Sequence, residues 1–161
     1  MNLICIAGRP HAGKSTMIKQ YIQGKKCLIF DVNNEYELTS DTTQARSRDI
    51  FLDMYKFIET AQKKINTIVV FEDATGFFRG NCKSDIIRLI QQRAHANNTY
   101  IFCFHSLRSI PPSIIDFINY LVIFKTNDTE EKVLKKFPDI ISAYREIKKA
   151  PEYFHKIIKL L

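Results

Sequence analysis

Five strand-length runs in this chain are apolar at consecutive positions rather than alternate ones: NLICIA (2–7), CLIFD (27–31), TIVVFED (67–73), YIFCFHS (100–106) and YLVIFKT (120–126). Strands apolar on both faces must be covered on both faces, which parallel strands joined by helices achieve. The intervening segments carry helical spacing. Met17, Ile18, Tyr21 and Ile22 form one stripe, which Gly24 ends by taking a left-handed conformation. Ile50, Phe51, Met54, Tyr55, Ile58, Ala61 and Ile65 form a longer stripe, and Ser84 reads as the N-cap of a third helix that buries Ile86, Ile87, Leu89, Ile90 and Ala94. Pro111 and Pro112 break the chain before a short helical turn through Ile114, Ile115 and Ile118. Asp128 and Glu131 have capping-box spacing for a helix ending near Phe137, and Pro138 opens the next. The terminal PEYFHKIIKLL is read as a short strand, with a helix as its alternative. The pattern predicts an α/β fold with a mostly parallel sheet covered by helices. At 161 residues, without repeats or linkers, it predicts a single domain over 1–161.

Composition removes several classes. Apolar residues at 45% and charged residues at 25% exclude a disordered chain. The longest apolar runs are far too short for a spanning helix. The first residues lack the charged, apolar and small-residue order of a signal peptide, so a cytoplasmic protein is expected, without a membrane span. Cys5, Cys27 and Cys103 fall inside apolar runs and Cys82 in a polar segment; no CxxC pair predicts a zinc site, and Cys103 with His105 supplies only two ligands. The net charge of +7 suits an acidic partner or a solvated basic surface. It is uneven: residues 1–30 carry Arg9, Lys14, Lys19, Lys25 and Lys26 with no acid, whereas the stretch from Asp31 to Glu59 is acidic.

The segment IAGRPHAGKST joins the first run to the first helical stripe. GRPHAGKS, Gly8 to Ser15, satisfies G-x-x-x-x-G-K-[ST] at every fixed position. Gly8 and Gly13 let the backbone fold around an anion, and Arg9, Pro10, His11, Ala12, Gly13, Lys14, Ser15 and Thr16 bring successive amides to a helix N-terminus. Lys14 is placed to bridge the terminal phosphates of ATP, and the Ser15 hydroxyl to ligate Mg²⁺. A second strand should end in carboxylate to hold the metal and direct water, and TIVVFEDA ends in Glu72 and Asp73. The usual order is Asp, for the metal, then Glu, for the water; here it is inverted, so both remain candidates for metal and catalysis and slow hydrolysis is an open alternative. YIFCFHS ends in His105, a polar side chain suited to sensing the γ-phosphate if its strand lies between the other two.

Taken together, IAGRPHAGKST, IFDVNNEY, TIVVFEDA and QQRAHANNTYIFCFHSLRSIPP resemble the FtsK/HerA superfamily of DNA-translocating and genome-packaging ATPases, and filamentous-phage assembly ATPases of the zonular-occludens-toxin type are similar in layout. The resemblance covers about residues 2–126. It implies a three-layer P-loop NTPase with a five-stranded sheet in the order 5-1-4-3-2, which puts the His105 strand between the phosphate-loop strand and the acidic strand. It matches Asp31, Glu35 and Tyr36 to the family's acidic segment, and Arg93, His105 and Pro111 or Pro112 to its later motifs. His105 stands where Gln is usual, and Glu35 is an outside candidate for the base. Such motors act as rings in which a neighbouring subunit offers an Arg to the γ-phosphate; Arg93 is the first candidate, with Arg79 and Arg108 behind it. The loop GFFRG, Gly76 to Gly80, either stacks on nucleic acid or a neighbour, or packs Phe77 and Phe78 on the domain itself.

The expectation is therefore a Mg²⁺-dependent ATPase that moves double- or single-stranded DNA or packages a viral genome as a homo-oligomeric ring. The alternatives are a nucleotide-binding regulator or assembly scaffold with little hydrolysis, and a small-molecule or nucleotide kinase. Against a kinase, Pro10-His11 stands where such loops usually have another glycine. Against a GTPase, FKTND lacks the N-K-x-D spacing that reads guanine.

Overall fold

The computed structural model describes residues 1–31, 33, 35, 36, 48–51, 53–78 and 82–161. The expected strands are β1 (Leu3–Ala7), β2 (Cys27–Phe30), β4 (Ile68–Phe71), β5 (Thr99–Phe104) and β6 (Tyr120–Ile123), joined at the edges by β3 (Arg48–Phe51) and β7 (Lys156–Lys159). They form one sheet in the order β3-β2-β4-β5-β1-β6-β7. All pairs are parallel except β6 with β7. The five expected strands thus keep their 5-1-4-3-2 order, but the sheet has seven strands, not five.

The added edges have separate causes. Ile50 and Phe51 were expected on a helix; instead they extend beside β2, and Asp53 separates them from α2 (Met54–Gln62) by accepting the Lys56 N–H at 3.0 Å. Helical spacing counted from Ile50 had spanned a strand, a cap and a helix, and Ile65 lies past the helix end, exposed. At the other edge α5 (Glu130–Lys136) and α6 (Ile141–Lys149) carry the chain so that β7 returns antiparallel, with Lys156 opposite Ile123. This places residues 151–155 at the edge of the sheet where the parallel strands end.

Alternation along each strand sorts the core into two faces. Leu3, Cys5, Leu28, Phe30, Val69, Phe71, Tyr100, Phe102, Phe104 and Leu121 face α2, α3 (Cys82–Gln92), α4 (Pro112–Ile115), α5 and α6. Its rings interlock: Phe71 stacks on Phe102 with centroids 4.3 Å apart and meets Phe77 edge-on at 4.9 Å. Ile6, Cys27, Ile29, Val70, Ile101, Cys103 and Val122 face the other way, where Ile18 and Ile22 of α1 (Lys14–Ile22) cover them. Gly24, φ 69°, closes α1 as expected.

Two capping expectations are corrected. Helix α3 starts at Cys82, ahead of Ser84. Asp128 does not cap α5, whose N-cap is Thr129; it is buried, its Oδ2 accepting the Leu107 N–H at 2.7 Å and its carbonyl the Tyr144 hydroxyl. A long-range donor, the Leu107 N–H, outcompetes the local helix end for the carboxylate. Among the described residues no helix is long and apolar enough to cross a membrane.

Candidate functional site: a phosphate-loop cleft

After Ala7 the chain turns over its neighbours, with the Gly8 N–H donating to Phe104 O at 3.1 Å and the Arg9 N–H to Lys125 O at 2.8 Å. A Cβ on Gly8 would lie 2.6 Å from Phe124 Cβ, so only glycine lets the loop sit this low. His11 and Gly13 are left-handed, φ 60° and 98°, which turns the backbone twice within three residues. The first helical bond of α1 runs from Met17 N–H to Gly13 O at 3.0 Å. The amides of Lys14, Ser15 and Thr16 therefore precede any helical acceptor and form, with the helix dipole, a seat for an anion. Lys14 is buried and folded back, its Nζ donating to Gly8 O at 2.9 Å and Arg9 O at 3.0 Å.

A cleft of about 690 Å³ opens over this loop. Pro10, His11, Gly13, Lys14, Ser15 and Thr16 line one side, and Glu72, Asp73 and His105 the other. Strand order explains the meeting: β5 lies between β1 and β4, so His105 emerges between the loop and the acidic pair.

The two acids differ. Glu72 is buried and accepts a hydrogen bond from the Tyr36 hydroxyl. Burial raises its pKa from the ordinary 4.5, opposed by the Tyr36 hydrogen bond and by the Lys14 charge. Burial and the Glu72 charge likewise push the Tyr36 phenol up. Tyr36 is held from behind by Asp31, whose carboxylate accepts the Glu35 and Tyr36 N–H groups at 3.0 and 2.9 Å. Asp73, in contrast, is left-handed, φ 46°, and turns toward the exposed His105, with Oδ1 3.6 Å from Nε2. Adjacent carboxylates thus serve two environments: one dry and clasped, one wet and paired.

Cys103 lies beneath Glu72, and burial raises its thiol. Among the described residues no cluster of three or more His, Cys, Asp and Glu side chains is placed to hold a metal alone. The donors at the cleft, Ser15, Glu72 and Asp73, are oxygens and suit a hard cation such as Mg²⁺ that completes its shell with phosphate and water.

Of the other sequence candidates, Gly8 and Ala12 lie buried under the cleft, and Arg9 turns away to Glu152 at 2.6 Å. Arg93 is not with them. It sits at the opposite end of the strands, its Nη1 donating to Ile90 O at 2.8 Å and its ring neighbour being Phe117, because α3 runs antiparallel to the strands and ends where β5 begins. Arg108, three residues past His105, is exposed, with Nε 4.0 Å from the buried Asp128 Oδ1. Arg79 and Gly80 lie outside the described residues. Phe77 is fully buried and Phe78 packs near Phe102, so these rings of GFFRG belong to the core. Sequence reasoning did not foresee the Tyr36–Glu72 bond or the arrival of Glu152 and Tyr153 beside the loop. A polar D…EY segment and an aromatic in a Pro-Glu-Tyr turn were the available signals.

No family model matches the sequence, and no curated protein does. Solved structures do. The DNA-packaging ATPase B204 of Sulfolobus turreted icosahedral virus superposes with a TM-score of 0.75 at 17% identity, over 99% of this chain and 92% of that one. The genome-packaging NTPase B204 of Sulfolobus turreted icosahedral virus 2, in complex with AMPPCP, gives 0.76 at 16% identity, over 99% and 92%. The N-terminal domain of zonular occludens toxin from Neisseria meningitidis gives 0.57 at 11%, over 99% and 94%. The chain has the α/β fold of these P-loop ATPases.

Proposed function

We propose that this chain is a Mg²⁺-dependent ATPase motor domain that drives DNA translocation into a viral particle, as a homo-oligomeric ring in the cytoplasm of a host cell. The observation that carries it is the single cleft in which loop amides, Lys14 and Ser15 face Glu72, Asp73 and His105. The likeness in fold to packaging ATPases over nearly the whole chain supports it.

In this reading the amides of residues 13–16 hold the β-phosphate, and Lys14 leaves the Gly8 and Arg9 carbonyls to meet the β- and γ-phosphate oxygens. Ser15 and Glu72 would hold the metal. When bound, Mg²⁺ neutralises charge that develops on the phosphate oxygens. Asp73 and His105 hold the attacking water on the γ-phosphate's far side and accept its proton as the bond to the bridging oxygen breaks; Lys14 and the loop amides stabilise the charge left on ADP. Tyr36 positions Glu72 and touches no substrate. The neighbouring subunit's contribution fits Arg108, exposed three residues past His105, better than Arg93, which is spent on its own backbone at the end where the strands begin.

A second reading, an ATP-binding scaffold with little turnover, is favoured by one feature: Glu72 and Lys14 are both clasped by their own chain. Phosphate release by purified protein, with and without double-stranded DNA, separates the readings. DNA-stimulated release that disappears in Lys14→Ala and Glu72→Gln supports the motor. Tight ATP binding without release supports the scaffold, and release only with a small acceptor would mean a kinase.

A further inference from the structure

We infer that Tyr153 is the platform on which the nucleotide base stacks, an inference that rests on the phosphate-site reading above and adds the subsite that makes the ligand a nucleotide rather than a bare polyphosphate. In strand order, β5 and β4 lie on one flank of β1, and β6 and β7 on the other. Glu72, Asp73 and His105 come from the first flank. The turn before β7 delivers Tyr153 from the second, into the same cleft. A nucleoside triphosphate lying across the loop with its terminal phosphate at the acidic flank therefore directs its base toward Tyr153.

The side chain is built to receive a flat ring. Tyr153 is 68% exposed although it is one of the largest apolar surfaces in the chain. Its ring rests against the loop: a Cβ on Gly13 would lie 3.2 Å from Tyr153 Cδ1. Its backbone is left-handed, φ 65°, a strained conformation for an aromatic residue, of the kind that persists at ligand clamps when neighbours enforce it. The neighbours on each side make contacts of their own. Glu152 accepts from Arg9 at 2.6 Å and Lys125 at 3.4 Å, and the His155 ring lies 4.8 Å from that of Phe124. A large ring is thus pinned at the mouth of the cleft with little of it in the core. Stacking on a π-face is tolerant of base identity, so the subsite takes ATP and GTP with similar strength.

Binding of ATP, GTP and inorganic tripolyphosphate, each with Mg²⁺, to the full chain by calorimetry tests this. Wild type is expected to bind ATP and GTP more tightly than tripolyphosphate. Tyr153→Ala should weaken both nucleotides by about ten-fold or more, the usual effect of removing a stacking aromatic, while leaving tripolyphosphate unchanged. Tyr153→Phe should bind as wild type. The chain contains no Trp, so in Tyr153→Trp the only indole emission reports this position; ATP should quench it and tripolyphosphate should not. ATP affinity unaltered by Tyr153→Ala, or an indole signal blind to saturating ATP, overturns the base platform and leaves the phosphate site standing. Failure of wild type to bind either tripolyphosphate or ATP overturns both.

Discussion

The two ends of the sheet both bury polar side chains, and they do so for opposite reasons. At the end where the parallel strands begin, Asn98 is fully buried, with Oδ1 accepting the Thr67 N–H at 2.9 Å and Nδ2 donating to Lys64 O at 2.8 Å. Asn119 accepts the Leu3 N–H at 2.8 Å, and Arg93 closes the end of α3. These groups pair with backbone that would otherwise be orphaned. At the end where the strands finish, Glu72 is held by the Tyr36 hydroxyl, Asp73 faces His105 and Lys14 donates to two loop carbonyls, all around an open cleft. The difference teaches how to read a polar residue in such a fold: satisfied away from any cavity, it supports stability; held beside an open cleft, it is available for chemistry.

Substitutions at the two ends should therefore separate activity from stability. The largest effect is expected for Lys14→Ala, which should lower steady-state phosphate release by about a hundred-fold or more through loss of an electrostatic contribution to the transition state, while the thermal midpoint moves little because relief of a buried charge offsets the lost bonds to the Gly8 and Arg9 carbonyls. Preserved turnover would erase the contrast. Next comes Asn98→Ala, which removes the bonds to the Thr67 N–H and the Lys64 carbonyl and should cost about 2–3 kcal/mol in urea unfolding, with normal turnover per folded molecule.

A smaller effect, on pH, sharpens the account of Glu72. Its folded pKa is raised, so its protonated form favours the fold: that increment is complete below the ordinary 4.5 and is lost as pH rises through the folded value. Glu72→Gln should remove this fall from the metal-free stability profile. Tyr36→Phe deletes a hydrogen bond that lowers the Glu72 pKa and should shift the acid limb of turnover to higher pH. An unmoved limb would mean that Glu72 does not titrate in turnover. The smallest effect is expected for Glu152→Ala. Its ion pairs with Arg9 and Lys125 are exposed, and the melting midpoint should stay within experimental error of wild type.

Much of the site was legible because its parts are local. Eight residues from Gly8 to Ser15 carry both the glycines that the loop geometry demands and the side chains for phosphate and metal. Apolar runs that end in Glu72-Asp73 and in His105 name the strand ends that meet it. Strand β3 was obscured because Ile50 and Phe51 continue the helical spacing of α2 across the Asp53 cap. The opposite places of Arg93 and His105 follow from helix direction, which no spacing rule records.

By itself, the sequence determined the alternation of buried strands with helices, the anion-binding turn and the chemistry of the strand ends, since each depends on residues that are neighbours along the chain. Only the tertiary structure decided that Glu72 is dry and clasped by a tyrosine 36 positions earlier, that Asp73 turns to His105, and that a turn near residue 153 arrives beside Gly13. Those outcomes depend on which strands pair and on how much water each carboxylate keeps, and pairing and desolvation are properties of the packed sheet.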